Sequence, residues 1–376
     1  HFDVSFMVWV LIGALGAYIA SDLGLSSAEK GLMVAVPPLG GSAFRLAVGP
    51  LADRLGYKKV GLGTLSLTCV PLAWGWLGAG SLAEVLAIGI LLGLAGSSFA
   101  VALPLASRWY PPEQQGLALG IAGAGNSGTI IAALVAPRLA EHIGWHGVFG
   151  FALLPVSLAW LAFFVLAKEP PRARTASGGI AALLAQQDAR WLCAFYAVTF
   201  GGFVGLSGYL PILFVDGFGL SKVTAASYAG LCASAGSLLR PVGGAVADRL
   251  GGTRVLVAVL VAIGVLASAL ATVPALGPSV VLLFLTLGAL GIGNGAVFQL
   301  VPQRFPTSIG AMTGLVGAAG GVGGFLLPFG LGAIEGATGS FAGGFLLFAV
   351  GAGTAAVGVV TRQRAWRARW QLEVAV

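Results

Sequence analysis

Arg45 and Arg240 each interrupt a long apolar run, in VAVPPLGGSAFRLAVGPLADRLG and in YAGLCASAGSLLRPVGGAVADRLGG. They stand 195 residues apart, and each is followed eight residues later by the Asp of an identical Asp-Arg-Leu-Gly, beginning at Asp53 and at Asp248. A charge at bilayer depth costs about 2.5–3.5 kcal/mol on insertion scales, so it is rarely kept without a use. Eight helical residues at about 1.5 Å each place both arginines roughly 12 Å from the Asp-Arg rim, near the middle of a hydrocarbon core about 30 Å thick. All thirteen Asp and Glu fall at helix ends, in loops or in the tail, so neither guanidinium is expected to have a protein counter-ion. The planar fork of Arg suits a planar oxyanion held by paired hydrogen bonds. Two such residues at matching places read as two walls of one anion site. The competing reading is structural, with each arginine capping carbonyls of a broken helix.

The elements that must position them are membrane helices. Apolar residues make up 57% of the chain and charged residues 9%, against roughly 25% charged in an ordinary soluble domain. A spanning helix needs about 20 apolar residues. Twelve segments satisfy that, near 2–20, 31–52, 60–79, 82–106, 114–139, 147–167, 191–214, 224–247, 254–273, 279–302, 308–334 and 341–361. The expected fold is an all-α polytopic membrane protein. The first span begins at residue 2 with no basic leader, and an N-terminal stretch is expected to precede it. With both termini on one side, that side collects fifteen Lys and Arg against three on the other, Lys30, Arg138 and Lys222. The positive-inside rule then makes the termini cytoplasmic. The net charge of +7 follows from this topology and from attraction to anionic lipid headgroups. With no soluble domain to carry a basic face, nucleic-acid binding is not expected. Cys69, Cys193 and Cys232 are isolated in apolar helices and read as small core residues. His1, His142 and His146 fall at ends or in a loop and read as solvated.

The chain repeats. PLADRLG at 50–56 matches AVADRLG at 245–251, RWYP at 108–111 resembles RFP at 304–306, and GIAGAGNSG at 120–128 resembles GLVGAAGGVGG at 314–324, all offset by about 195. The one sizeable polar linker, 168–190, divides two six-helix pseudo-repeats, 1–167 and 191–361, with a tail at 362–376. Parallel six-helix repeats with a midplane site between them describe a rocking secondary transporter. GPLADRLGYKK (49–59) and GAVADRLGGTR (244–254) resemble the cytoplasmic motif of the major facilitator superfamily. The resemblance implies that Asp53, Arg54, Asp248 and Arg249 form a gating latch, by pairing with each other or with neighbouring helix ends. A plain topological anchor is the alternative.

GLALGIAGAGNSGT (116–129) and GLVGAAGGVGGF (314–325) resemble the paired signatures of the nitrate/nitrite porter family, in its fifth and eleventh helices, and FDVSFMVWVLIGALG (2–16) resembles that family's first helix. Close helix packing accounts for most of the glycines, but the Asn126 amide inside such a run needs a partner and can donate to an oxyanion. Carried over by position, the resemblance implies that Arg45, Arg240 and Asn126 bind the anion, with Tyr196 of AFYAVTFGGF supplying a hydroxyl. It also implies that Phe99 of GSSFA and Phe298 of GIGNGAVFQ are aromatic gates, whose partly positive ring edges could sandwich a flat anion. Taken singly, each phenylalanine is more often ordinary core.

The function implied is transport of nitrate and nitrite across the cytoplasmic (inner) membrane by alternating access, as antiport or proton-coupled symport, by a chain working as a monomer without a cofactor. A carrier for another small anion, formate or oxalate, is the alternative within the same fold. An anion channel is disfavoured by the duplicated latch. An enzyme is disfavoured because the midplane offers no His, Asp, Glu or metal cluster. No Gly-x-x-x-x-Gly-Lys-Ser/Thr phosphate loop exists to drive an ATP-powered pump.

Overall fold

A computed structural model describes residues 1–107, 109, 122–169, 180–305 and 308–369. Among them the regular structure is helical. Nine helices among the described residues are long and apolar enough to cross a membrane. The longest, Gly125–Leu166, has 42 residues, about twice the length one crossing needs. It bends at Gly144, where φ is +67°, a conformation that glycine adopts without Cβ strain, and so counts as the fifth and sixth spans. The 29-residue helix Lys222–Leu250 supplies the eighth. The first span is a stack of three short helices, Phe2–Trp9, Leu11–Ala14 and Gly16–Leu23. Its joints are Val10 and Leu15, whose ψ values of 6° and 3° depart from the helical value. The total is twelve, as expected of a multi-pass membrane protein.

The remaining spans are Ser27–Leu55 (second), Tyr57–Gly78 (third), Leu82–Gly96 continuing as Phe99–Ser107 (fourth), Gln187–Phe218 (seventh), Gly252–Leu270 (ninth), Leu276–Arg304 (tenth), Ile309–Thr338 (eleventh) and Ala342–Arg369 (twelfth). Residues 114–121 of the expected fifth span, 170–179 of the linker and 370–376 of the tail lie outside the described residues, as does most of the 108–111 motif. Sequence explains the ends that matter for the site. Ser26 and Glu29 form a reciprocal capping box at the start of the second span, satisfying two orphan backbone donors. The second and eighth spans both stop at the Gly of Asp-Arg-Leu-Gly, Gly56 with φ +102° and Gly251 with φ +92°.

The second span runs along the fourth and the eleventh, and the eighth runs along the tenth and the fifth. These are the same pairings under the 195-residue offset. Small residues let the backbones approach. A Cβ on Gly201 would stand 2.6 Å from Gly323 Cα, and one on Gly320 would stand 2.7 Å from the Tyr196 ring. The eleventh-span glycine run is therefore the packing seam between the second and seventh spans.

The expectation for the histidines changes: His1 is part-buried, with Nε2 3.2 Å from the Gly61 carbonyl and its ring 4.7 Å from that of Phe163. His146 is not simply solvated: its Nε2 lies 3.2 Å from the Ala79 carbonyl and its ring stacks on Trp145. The break at Gly144 puts His146 in the first turn of the sixth span, so the ring packs at a helix end instead of hanging in a loop. Cys193 and Cys232 are buried free thiols, and Cys69 is half-buried.

Candidate functional site

Arg45 sits in the middle of the second span and is 1% exposed. The fourth span breaks between Gly96 and Phe99, and Arg45 Nε donates to the freed Gly96 carbonyl at 3.0 Å. Its Nη1 donates to the Gly317 carbonyl of the eleventh span at 2.6 Å. The structural reading of this arginine is thus half realised. Its Nη2 has no hydrogen-bond partner among the described residues. The guanidinium lies over the rings of Trp9, Phe200 and Phe99, with Cζ 5.0, 5.3 and 5.4 Å from their centroids. Trp9 is itself held by a 2.9 Å bond from Nε1 to the Pro37 carbonyl.

Arg240, on the eighth span, is 5% exposed. Its Nη2 donates to the Tyr196 hydroxyl at 3.3 Å, and its Nη1 has no partner among the described residues. Cζ lies 5.7 Å from the Phe99 centroid and 5.6 Å from that of Phe298. Phe99 therefore lies beneath both guanidiniums, one from each six-helix repeat. Phe298 packs edge-on against Phe99 at 5.4 Å and against Tyr196 at 5.0 Å, and Tyr196 stacks on Phe200 at 4.9 Å. The phenyl faces, not their edges, meet the arginines, which is the favourable cation–π orientation.

Asn126 lies in the short 3-10 turn Ala124–Ser127 of the fifth span, just before the α-helix that starts at Gly128, and it is fully buried. Both amide atoms lack partners among the described residues. The turn is anchored through its backbone, the Asn126 carbonyl accepting from Thr129 Oγ1 at 2.6 Å and Ser237 Oγ at 3.3 Å. It lies against Arg240, since a Cβ on Gly123 would be 3.4 Å from Arg240 Nε. The six residues expected from sequence to hold substrate thus converge: five through ring and hydrogen-bond contacts, and Asn126 through its turn.

Neither guanidinium is in an ion pair among the described residues. Burying two unpaired cations together carries a large desolvation penalty, which an anion accepting from both would relieve. One carboxylate comes nearer than sequence suggested: Asp3 Oδ1 accepts from Ser127 Oγ at 2.7 Å, one residue beyond Asn126. Short helices in the first span let its start fold against this turn.

Sequence reasoning passed over Trp9 and Phe200. Both were legible as helical periodicity: Phe2, Phe6 and Trp9 form an aromatic stripe with centroids 4.7 and 4.8 Å apart, and Phe200 stands four residues beyond Tyr196 on the same face.

The Asp-Arg loops lie away from this cluster. Asp53 accepts from the Tyr57 hydroxyl, Asp248 lies near the Gln299 side chain, and Arg54 and Arg249 are exposed. The acids thus lie against the third and tenth spans. Glu169 accepts from the backbone N–H groups of Tyr57 and Lys58, capping the third span. At the same end Asp188 joins Arg304 Nε (2.6 Å) and Trp366 Nε1 (2.9 Å). The opposite end is closed between the two repeats. A Cβ on Gly13 would lie 2.7 Å from Gly208 Cα, and one on Gly31 would lie 2.6 Å from the Pro328 carbonyl. Lys30 Nζ pairs with Asp216 at 2.7 Å, Arg138 Nη2 donates to Ser227 at 2.9 Å, and Lys222 lies 4.7 Å over the Tyr18 ring.

Twelve spans in repeated halves around a buried, cationic, aromatic-lined centre define a secondary carrier for a small anion. The Major Facilitator Superfamily family model matches residues 1–328. The chain is 37% identical over 341 residues to the "Probable nitrate/nitrite transporter NarK2" of Mycobacterium tuberculosis, covering 88% of this chain and 86% of that one. It is 34% identical over 361 residues to the "Probable nitrate/nitrite antiporter NarK1" of Thermus thermophilus, covering 87% and 81%. A bacterial homologue of the human lysosomal transporter Spinster, solved in an inward-facing and unoccupied conformation, superposes with a TM-score of 0.72 at 17% identity, covering 96% of this chain and 95% of that one. The chain belongs to the major facilitator superfamily, and within it to the nitrate/nitrite porter family.

Proposed function

We propose that this protein carries nitrate and nitrite across the cytoplasmic membrane by alternating access, with both termini on the cytoplasmic side. The observation that carries the reading is the convergence of Arg45 and Arg240 on opposite repeats over one ring, Phe99, at 5.4 and 5.7 Å. Each keeps one buried guanidinium nitrogen without a partner among the described residues. A planar oxyanion accepts from two such forks at once. The names borne by the relatives support nitrate and nitrite as that anion.

In this reading, 1–167 and 191–361 rock about the site, joined by the linker. The end sealed by Lys30–Asp216 and the glycine contacts is periplasmic, so the structure represents a state closed to the outside. Asp53, Arg54, Asp248 and Arg249 lie at the cytoplasmic rim and act on gating, not on substrate. Bringing one net negative charge inward against an inside-negative potential costs about 2.3 kcal/mol per 100 mV. Uptake therefore needs exchange or a co-transported cation. An unneutralised pair of guanidiniums resists occlusion, so the empty carrier returns slowly and exchange of nitrate for nitrite is favoured.

The test is uptake of labelled nitrate by vesicles containing the purified carrier, competed with nitrite, chlorate, formate and oxalate, and loaded with nitrite or with no permeant anion. Competition by nitrite and chlorate, with nitrite-loaded vesicles fastest, is the expected result. Stronger competition by formate or oxalate would assign the site to a carboxylate. Equal accumulation in unloaded vesicles under a proton gradient would replace exchange with symport.

A further inference from the structure

A second amide lies beside the arginines. Asn294, in GIGNGAVF of the tenth span, is fully buried, and neither its amide nitrogen nor its oxygen is hydrogen-bonded among the described residues. Leaving a buried polar group unpaired costs about 1–3 kcal/mol, and folded interiors contain few such groups. Its place is set by three neighbours. Residues four apart share a helix face, so Asn294 stands one turn from Phe298, which touches Tyr196, Phe99 and Arg240. On one flank a Cβ at Gly295 would collide with the carbonyl oxygen of Arg240, so the tenth span passes the Arg240 backbone at this height. On the other flank a Cβ at Gly293 would lie 2.7 Å from Thr199 Cγ2. The Thr199 hydroxyl is itself buried and unpaired among the described residues. Under the repeat offset Asn294 occupies the place of Phe99 (99 + 195 = 294), the residue on which both guanidiniums converge.

We propose that Asn294 is a further anion-binding residue, whose amide N–H donates to the bound oxyanion from the C-terminal repeat as the Asn126 amide does from the N-terminal one. The proposal rests on the anion-carrier reading and deepens it. Two amides and two guanidiniums supply at least four donors, enough to fill all of the roughly four lone-pair sites on two oxygens. Three oxygens in one plane offer more sites and easier geometry. The extra donor therefore favours nitrate, with three oxygens in one plane, over nitrite. Removing it weakens nitrate more than nitrite.

The experiment measures nitrate and nitrite dissociation constants by calorimetry, together with anion-free thermal unfolding, for the full-length wild type and for Asn294→Leu, Asn294→Asp, Asn294→Ser and Thr199→Val. Asn294→Leu is expected to raise the nitrate Kd about 10- to 100-fold, the range for a lost hydrogen bond to a charged group, with a smaller rise for nitrite. Its anion-free unfolding temperature should stay level or increase, because an unpaired buried amide has been removed. Asn294→Asp, nearly isosteric, should lose at least as much affinity through repulsion, and Asn294→Ser should fall between. Those two variants keep the test informative if the leucine does not fold. Wild-type nitrate binding with unchanged Kd in the variants overturns the role of Asn294 and leaves the carrier reading standing. Equal losses of anion-free stability in Asn294→Leu and Thr199→Val, with Kd unchanged, assign the amide to helix pairing instead. Absence of nitrate binding by the wild type overturns the carrier reading and this proposal with it.

Discussion

Arg45 and Arg240 occupy equivalent places in the two repeats, yet their surroundings differ. Arg45 gives two hydrogen bonds to backbone carbonyls, at 3.0 and 2.6 Å, and lies over three rings. Arg240 gives one, at 3.3 Å, to a hydroxyl on a neighbouring span, and lies over two. A guanidinium tied to main chain is oriented before substrate arrives, whereas one tied to a single side chain can reorient. On the proposed anion-carrier reading, the difference makes Arg45 the preorganised wall and Arg240 the wall that adjusts. It also divides one residue type between two tasks: Arg45 holds the broken fourth span as well as offering a donor.

The largest expected effect separates those tasks. Arg45→Lys and Arg240→Lys should each weaken nitrate binding by about 100-fold, since Lys keeps the charge but loses the fork. Only Arg45→Lys should lower the anion-free unfolding temperature as well. It removes a charge-assisted bond of about 1.5–3 kcal/mol, and each kcal/mol is worth about 2–4 °C in a domain of roughly 150–250 residues and less in a longer chain such as this. Equal unfolding temperatures in the two variants would erase the asymmetry.

Next comes the shared ring. Phe99→Ala removes contacts to both guanidiniums and Phe298→Ala to Arg240 alone. With cation–π contacts worth about 0.5–2 kcal/mol, nitrate Kd should rise more for Phe99→Ala, by roughly a further 2- to 30-fold. The reverse order would place Phe298 at the centre of the site.

Tyr196→Phe sharpens the comparison on the weaker side. Losing the hydroxyl that accepts from Arg240 should raise nitrate Kd about fivefold, a hydrogen bond of about 1 kcal/mol. Combined with Arg240→Lys it should add little, because the two changes remove one interaction. Full additivity would show that the hydroxyl acts independently of Arg240.

The smallest effect lies far from the site. Lys30→Ala or Asp216→Ala removes a partly exposed pair at the sealed end, worth at most about 1 kcal/mol and screened by salt. Externally added thiol reagent should label a cysteine introduced at Ser207, on the site side of this seal, up to about fivefold faster in either variant. That gain should shrink in high salt. A salt-independent change would mean that the seal depends on packing rather than on charge.

How much was legible can be judged residue by residue. The mid-helix depth of Arg45 and Arg240 follows from their distance along the chain to Asp53 and Asp248, because helical rise is constant. The stop at Gly56 and Gly251 follows from the same motif. Asn126 was singled out as an amide in a glycine run. The identical argument applies to Asn294, where the nearby aromatic drew attention away from it.

Sequence by itself determined the twelve apolar spans, their twofold repetition and the burial of two arginines with few acids near them, since each rests on local periodicity or on distance along one helix. Tertiary structure alone decided which donors each arginine has already committed. The Gly317 carbonyl that takes Arg45 Nη1 is 272 residues away, and the Gly96 carbonyl is free only because the fourth span breaks there. Hydrogen-bond partners brought together by packing between distant helices leave no periodic trace in either one, so the asymmetry of two matching arginines appears only when the helices are assembled.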